Sequence, residues 1–352
     1  MQIKRFLKDI CQAPGISGYE HHVAKIIKAA CCRYADEVRQ DRLGNVVFYK
    51  RGMGEDGTRP RLLLAAHMDE IGLMVTKIED DGFLRISAVG GIDPRTIVGQ
   101  EVVLYGRDTL PGVIGAKPPH LTDEKERSKG HKMEDLYLDL ALPAGKVKEW
   151  VRPGDLALIR REAAELSGGA MCAKAMDDRA GVAVLLCCLH ELERLRHAAD
   201  IYAVATVQEE VGVRGATVAT YGVVPDIGIA VDVTHGDMPG VPDHDTAPLG
   251  KGPVITLGPN IHPHISAELV RLAKEYRLPY QLDTTPGATS TDARAIQVTR
   301  GGIPTGLVSV PLRYMHTSVE LVETEDIRLA GRLLALYAAT LDISAVEGLT
   351  CF

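Results

Sequence analysis

Aromatic residues are scarce in this 352-residue chain. Phenylalanine, tyrosine and tryptophan make up 5% of it, and Trp150 is the single tryptophan. Clefts that bind glucans usually add aromatic platforms to their catalytic carboxylates, so the shortage disfavours a glycoside hydrolase. Long apolar runs are also missing, since stretches such as 183–189 are far too short to span a bilayer. No long apolar region follows the charged N-terminus, so we expect neither a signal peptide nor a membrane partner.

Neither sign of charge dominates the composition. The chain has 40 lysines and arginines against 47 aspartates and glutamates, a net charge of −7. This mild acidity argues against nucleic acid as a partner. The seven cysteines are scattered without a CxxC motif. Cys31-Cys32 and Cys187-Cys188 lie in helical patterns, where buried thiols are usual, and we expect a reduced, cytoplasmic protein.

Hydrophobic patterning divides the chain into two kinds of segment. Residues 1–71 and 165–352 alternate apolar strands with amphipathic helices, which predicts an α/β domain. Residues 72–164 are short β-like runs broken by Gly, Pro and Asp, which predicts an inserted all-β domain, a small barrel. Within it the charged stretch 120–133 is expected to be a long mobile loop. Near the N-terminus, Ser17-Gly18-Tyr19-Glu20 has the form of a helix capping box.

Several predicted strands end at side chains that can bind metal ions. The apolar run Ile201–Val207 is followed at once by Gln208-Glu209-Glu210. In open α/β sheets, residues beyond the carboxyl ends of strands converge at one edge. Two imidazoles and three carboxylates suit two divalent ions such as zinc, cobalt or manganese, and one bridging hydroxide would make the cluster neutral. The candidates are His67, Glu210, Asp232 and His316 at strand ends, and Asp177 at a helix start.

Other interpretations exist for residues near these candidates. Asp177 and Asp178 could both be helix N-caps, which is the preferred interpretation for Asp178, and Asp69 could cap a turn. His235 lies close to Asp232 and is a rival ligand. His262 and His264 form an H-P-H pair that could bind metal, although the start of a helix is the preferred interpretation.

As a set, these motifs resemble the M42 family of dinuclear metallo-aminopeptidases, which includes tetrahedral (TET) and glutamyl aminopeptidases and proteins once labelled cellulase M. The resemblance covers essentially the whole chain, including the insert. The segments that carry it are 66–70 (AHMDE), 115–120 (GAKPPH), 175–179 (AMDDR), 208–212 (QEEVG), 231–234 (VDVT) and 313–317 (RYMHT).

The resemblance implies a role for each of seven residues. Five would be metal ligands: His67 and Asp232 for one ion, Glu210 and His316 for the other, and Asp177 as the bridge. Glu209 would be the general base that activates a metal-bridging hydroxide. Asp69 would orient the imidazole of His67.

The resemblance also implies a fold, an activity and an assembly. The expected fold is a mixed sheet between helices, with the inserted β domain forming dimer contacts. The expected activity is removal of the N-terminal residue from peptides with a free N-terminus, using two zinc or cobalt ions. Dimers of this family commonly assemble into tetrahedral dodecamers. The alternatives are a glycoside hydrolase, which would need no metal, and a non-catalytic metal-binding assembly protein, which would be expected to have lost Glu209 or a ligand.

Overall fold

The structure, a computed structural model, describes residues 2–55, 57–121 and 130–349. The central part of the predicted loop 120–133 therefore lies outside the described residues. Within the described ranges, no helix combines the length and the apolar composition that a membrane crossing requires.

Helices and strands follow one another along the described chain, in the outer parts and in the insert. The helices are α1 (Ile3–Gln12), α2 (His21–Cys31), α3 (Pro94–Ile97), α4 (Ala144–Trp150), α5 (Met176–Glu191), α6 (Arg214–Val223), α7 (Pro263–Glu275), α8 (Asp292–Gln297), α9 (Thr324–Thr340) and α10 (Ile343–Glu347). The strands up to residue 159 are β1 (Glu37–Gln40), β2 (Val46–Lys50), β3 (Arg61–His67), β4 (Gly72–Ile78), β5 (Leu84–Val89), β6 (Glu101–Tyr105), β7 (Thr109–Ala116), β8 (Leu136–Asp139) and β9 (Leu156–Ile159). Those that follow are β10 (Ala164–Glu165), β11 (Ala170–Ala173), β12 (Asp200–Thr206), β13 (Ile227–His235), β14 (Val254–Leu257), β15 (Gln281–Thr284), β16 (Thr305–Arg313) and β17 (Glu320–Glu323).

The larger sheet is mixed, as the resemblance implied. Among the described residues it has 11 strands in the order β1-β2-β12-β3-β13-β16-β17-β11-β10, with β14 and β15 branching from β16. The four central strands, β12, β3, β13 and β16, are mutually parallel. Their carboxyl ends consequently open onto the same edge of the sheet, which is where a ligand site forms in such folds.

Strand β3 is buried on both faces because its side chains are apolar without alternation. Leu62, Leu64 and Ala66 join the core on one side of the sheet, and Leu63 and Ala65 join the core on the other. Successive side chains of a strand point to opposite faces, so a strand that is apolar throughout needs cover on both. Helices supply that cover, and the strand reaches the open edge with His67 as its last residue.

Helix α5 lies in the larger core, and all of its residues from Met176 to Leu189 are buried. It packs closely on α9 because of Gly331, where a Cβ atom would lie only 2.4 Å from the Cβ of Cys187. Cys31, Cys187 and Cys188 are buried as predicted, whereas the prediction was wrong for Cys32, which is exposed. The rigid packing of α5 matters for the site because its first turn carries Asp177.

The inserted segment forms a closed antiparallel barrel, which confirms the predicted small barrel. Its strand order is β4-β5-β8-β7-β6-β9, and its interior is filled by residues such as Leu73, Val75, Val102 and Leu104. Such closure leaves no unpaired strand edge in the barrel. The barrel is joined to the α/β part by a small apolar contact in which Ile16 packs with Leu156 and Leu158 of β9.

The capping box predicted at Ser17–Glu20 is wrong. Helix α2 starts at His21 with no side-chain cap. The Ser17 hydroxyl instead donates to Asp69 Oδ2 at 2.6 Å, and Glu20 Oε1 accepts from the backbone N–H groups of Gly18 and Gln208. The two side chains do not cap the helix because they bind groups at the open sheet edge, Ser17 the buried carboxylate of Asp69 and Glu20 the backbone N–H of Gln208.

Candidate metal centre

Most of the predicted site residues lie at the carboxyl ends of the parallel strands, along one edge of the larger sheet. β3 ends at His67, and Glu209 and Glu210 follow the end of β12 by a few residues. The chain turns there through Gln208, whose φ is +55°. The predicted end of the strand before Asp232 is wrong, because β13 runs on to His235 and Asp232 lies inside it, paired in register with Ser309 of β16.

Asp177 lies between the two histidines. Its Oδ1 is 3.1 Å from His67 Nε2, and its Oδ2 is 3.2 Å from His316 Nε2. His316 Nε2 is also 3.4 Å from Glu210 Oε1. One carboxylate thus presents one oxygen to each imidazole, an arrangement compatible with a ligand shared between two ions.

Two clusters with metal-ligand chemistry result, and they share Asp177. The first contains His67, Asp177 and Asp232, and the second contains Asp177, Glu210 and His316, with the ligand atoms of each cluster within 4.8 Å of one another. Mixed imidazole and carboxylate donors suit zinc and similar divalent ions. The structure therefore brings all five predicted ligands together. Glu209 belongs to neither cluster of the described residues.

The ionisable groups of the site shift one another's pKa values. Hydrogen bonds to Asp177 and Glu210 raise the pKa of His316 to about 11. Burial by itself lowers the pKa of His67, but its contacts with Asp177 raise it overall. Burial raises the pKa of Asp232 well above its ordinary value, and the neighbouring Asp177 charge adds to this. Carboxylates packed this densely need cations, and divalent ions would take the place of the imidazole protons.

Asp69 connects several segments of the site. Its Oδ1 accepts the Glu209 N–H at 3.0 Å, and its Oδ2 accepts the Glu210 N–H at 3.2 Å and the Ser17 hydroxyl. The predicted contact with His67 is longer, because His67 Nδ1 lies 3.5 Å from Asp69 Oδ1 and makes no hydrogen bond there. In this geometry Asp69 holds the backbone of the two adjacent glutamates more tightly than it holds the imidazole.

Glu320 is a site residue that sequence reasoning missed. It is buried at the start of β17, where Oε1 accepts the His316 N–H at 2.8 Å and Oε2 accepts the Asp177 N–H at 3.1 Å. Burial, followed by the charge of Asp177, raises its pKa to about 8. A glutamate four residues after a histidine has no distinctive pattern in an irregular segment, so the sequence contained no signal for this contact.

The rival candidates lie elsewhere. His235 is exposed at the end of β13, and neither it nor His262 or His264 joins a metal-ligand cluster among the described residues. Helix α7 starts at Pro263, between the two histidines, as the preferred interpretation predicted. Asp178 Oδ1 accepts the Gly181 N–H at 3.0 Å, which is the contact expected of a capping residue.

A large cavity of about 910 Å³ is separate from this centre. It is bordered by residues at the start of α7 and the start of β16, including His262, Ile261 and Thr305. Since β16 runs from Thr305 towards the metal-ligand clusters, this cavity lies at the opposite edge of the sheet. None of the proposed ligands lines it.

Comparisons with known proteins agree with this geometry. Residues 44–333 match the family described as M42 glutamyl aminopeptidase. The chain is 37% identical to the lysyl aminopeptidase of Pyrococcus furiosus over 338 residues, which covers 93% of this chain and 95% of that protein. The chain belongs to the M42 family of aminopeptidases. Membership confirms the prediction of a metallopeptidase, and the family implies divalent metal ions.

Solved structures of an aminopeptidase and a TET peptidase show the same fold over nearly the whole chain. The aminopeptidase of the archaeon Desulfurococcus kamchatkensis is 38% identical with a TM-score of 0.91, covering 99% of this chain and 98% of that one. The TET1 peptidase of Pyrococcus horikoshii, which can assemble into a tetrahedron or a large octahedral shell, is 32% identical. Its TM-score is 0.84, and the match covers 97% of this chain and 100% of that one.

Proposed function

We propose that this M42 protein is a dinuclear metal-dependent aminopeptidase that removes the N-terminal residue from peptides. The observation that carries the proposal is the position of Asp177, whose two carboxylate oxygens lie 3.1 and 3.2 Å from the Nε2 atoms of His67 and His316. A single-ion site has no need for this shared carboxylate between two imidazoles.

The two clusters support a proposed set of ligands for each ion. His67 and Asp232 would hold one ion, Glu210 and His316 the other, and Asp177 would contact both. Zinc or cobalt fits this mixture of nitrogen and oxygen donors. Two such ions would supply Lewis acidity, lowering the pKa of a water molecule and polarising the carbonyl group of the scissile peptide bond.

Glu209 is proposed as the general base and general acid. It follows the end of β12 beside Glu210, and its backbone N–H is held by Asp69. Burial raises the pKa of Glu209 to about 8 and nearby carboxylates add to this, so the group can bind and release a proton near neutral pH. Its carboxylate would take a proton from the attacking water and return it to the leaving amine. Bound cations would lower this pKa, which favours the form that accepts the proton.

The acidic surroundings of the centre favour substrates with a free N-terminus. Glu209, Asp69 and Asp292 lie near one another and contribute to each other's electrostatic environment. A protonated α-amino group would be attracted there, whereas an acetylated N-terminus carries no charge. This difference is one physical basis for exopeptidase selectivity.

We further propose that the barrel pairs subunits in a homo-oligomer built from dimers. The barrel exposes apolar side chains such as Phe83 and Val113, which are 39% and 46% accessible. Exposed apolar groups on an inserted module are suited to a protein interface. The TET1 relative assembles into a tetrahedron or an octahedral shell, so a tetrahedral dodecamer is the proposed assembly.

The experiment that tests the proposed function uses metal-free enzyme and a panel of chromogenic aminoacyl substrates. We expect no activity without metal, recovery on addition of zinc or cobalt, and slow cleavage of N-acetylated peptides. Full activity in excess chelator would contradict the metal-dependent mechanism. Equal rates on acetylated and free peptides would contradict the exopeptidase assignment. Assaying β-glucans in parallel tests the glycosidase alternative, which would retain its activity in chelator.

A further inference from the structure

A backbone carbonyl of the inserted segment contacts one of the proposed ligands. His316 Nδ1 lies 2.9 Å from the carbonyl oxygen of Gly91, a residue that follows β5 of the barrel. We propose that Gly91 is a positioning residue, which fixes the ring of His316 so that Nε2 faces the metal centre. This inference rests on the proposed function, because it concerns how one of the two metal sites is held in shape.

The contact requires a hydrogen on Nδ1 of His316. A carbonyl oxygen can only accept a hydrogen bond, so Nδ1 must be the donor. In the neutral ring the lone pair then belongs to Nε2, the atom that lies 3.2 Å from Asp177 and 3.4 Å from Glu210. Metal-binding histidines generally donate their second ring N–H to such an acceptor, which sets both tautomer and ring orientation.

The ring itself requires glycine at position 91. A Cβ atom there would lie 2.6 Å from Nδ1 and 2.8 Å from Cε1 of His316. The backbone does not require glycine at this position, since φ of Gly91 lies outside the left-handed region. The neighbouring Gly90 differs, because its φ is +80° and its Cβ would meet Ile71 at 2.7 Å. The absence of a side chain at Gly91 therefore allows the close approach of the imidazole.

Apart from the contacts of Nε2 with Asp177 and Glu210, the ring of His316 has few other restraints. Its side chain is 35% accessible, whereas that of His67 is 3% accessible and is held by packing. The backbone of His316 has a φ of +58°, and its N–H is bound by Glu320. Glu320 thus holds the main chain of His316, and the Gly91 carbonyl contacts its ring.

The two metal sites should therefore differ in their dependence on the insert. The cluster of Asp177, Glu210 and His316 touches the Gly90–Gly91 segment, since a Cβ at Gly90 would also lie 3.3 Å from the Cβ of Glu210. Among the described residues, no hydrogen bond or ion pair joins His67 or Asp232 to this segment. A substitution at Gly91 should therefore lower the affinity for one ion and leave the affinity for the other unchanged.

The test compares Gly91→Ala with Gly115→Ala. Gly115 is a matched control in β7 of the same barrel, where an added Cβ meets nothing within 4 Å and no left-handed φ is needed. Zinc affinity at each site is measured by competition with a chelator, and the visible spectrum of the cobalt-loaded protein reports ligand geometry. We expect Gly91→Ala to lower the affinity for one of the two ions by about 10–100-fold and to change the cobalt spectrum, whereas the control should change neither.

The outcomes separate this inference from the proposed function. Wild-type protein that binds no ions would contradict the proposed function and this inference with it. If the wild type binds two ions and Gly91→Ala binds both with unchanged affinity, only the role of Gly91 is contradicted. Equal loss of affinity for both ions would indicate general damage and would also contradict that role. If Gly91→Ala does not fold, an ester in place of the 91–92 peptide bond weakens the carbonyl acceptor without adding bulk, and it also removes the Ile92 N–H, which donates to the Gly90 carbonyl at 3.1 Å. The ester variant should lower the affinity for the same single ion, and unchanged affinities in the ester variant would overturn the proposal.

Discussion

Glu320 binds the backbone N–H of His316 at 2.8 Å, and its second oxygen binds the N–H of Asp177 at 3.1 Å. One buried carboxylate therefore connects the loop after β16 to the first turn of α5. These two segments carry the shared ligand and one of the two histidines. The relative position of the ligands is set by this side chain as well as by the strands.

Replacing Glu320 by glutamine should weaken metal binding. The ionised carboxylate of Glu320, which bound cations favour, has two acceptor oxygens, whereas glutamine has one, so one of the two buried N–H groups would lose its partner, at a cost of about 1–3 kcal/mol in the free energy of unfolding. Thermal unfolding and zinc affinity, measured on the same preparation, check this expectation. Glu323→Gln is the matched control, because Glu323 lies on the same strand with its carboxylate beside Gly169. If both variants bind zinc as the wild type does, Glu320 has no positioning role.

The adjacent residues Glu209 and Glu210 should respond differently to the same substitution. Glu210→Gln weakens a charged contact to one ion and should lower its occupancy. Glu209→Gln keeps the shape of the side chain but cannot accept a proton, so we expect turnover to fall by about 10²–10⁴-fold with both metals bound. Elemental analysis beside steady-state kinetics distinguishes the two effects.

The opposite pattern would reverse the assignment of these two glutamates. Loss of metal from Glu209→Gln, with two ions retained in an inactive Glu210→Gln, would make Glu209 the ligand. Near-normal turnover of Glu209→Gln with both metals bound would show that Glu209 is not the general base.

Deleting residues 72–164 should prevent formation of the native oligomer. The barrel carries the proposed subunit contacts, and its removal also uncovers Ile16 and takes away the Gly91 carbonyl. We expect a monomer or an insoluble chain. Light scattering on the deletion variant and on the full chain at equal concentration gives the comparison. A deletion variant with the same number of subunits as the full chain would show that the barrel does not mediate assembly.

The strand pattern allowed much of the fold and the clusters to be predicted. Parallel strands must end at a common edge, so His67, Glu210 and His316 could be brought together from their places after apolar runs. Asp232 was found for the same reason, although β13 continues past it. The short β runs of the insert likewise predicted a barrel, because most of them lack helical periodicity, although the all-β interpretation missed the short helices α3 and α4.

The supporting contacts could not be predicted, because each joins loops that are distant in the sequence. Ser17 bonds to Asp69 across 52 residues, and Gly91 contacts His316 across 225. Nothing in the local pattern of Ser17–Glu20 distinguishes a capping box from two side chains drawn to other partners. Glu320 is similar, since only the fold places its carboxylate between two backbone N–H groups.

The most direct test of the dinuclear centre is an anomalous difference map from crystals loaded with zinc or cobalt. The proposed arrangement predicts two peaks per chain, one beside His67 and Asp232 and the other beside Glu210 and His316. Both peaks should lie within coordinating distance of Asp177. A single peak, or two peaks of which only one touches Asp177, would contradict the shared carboxylate on which the proposed function depends.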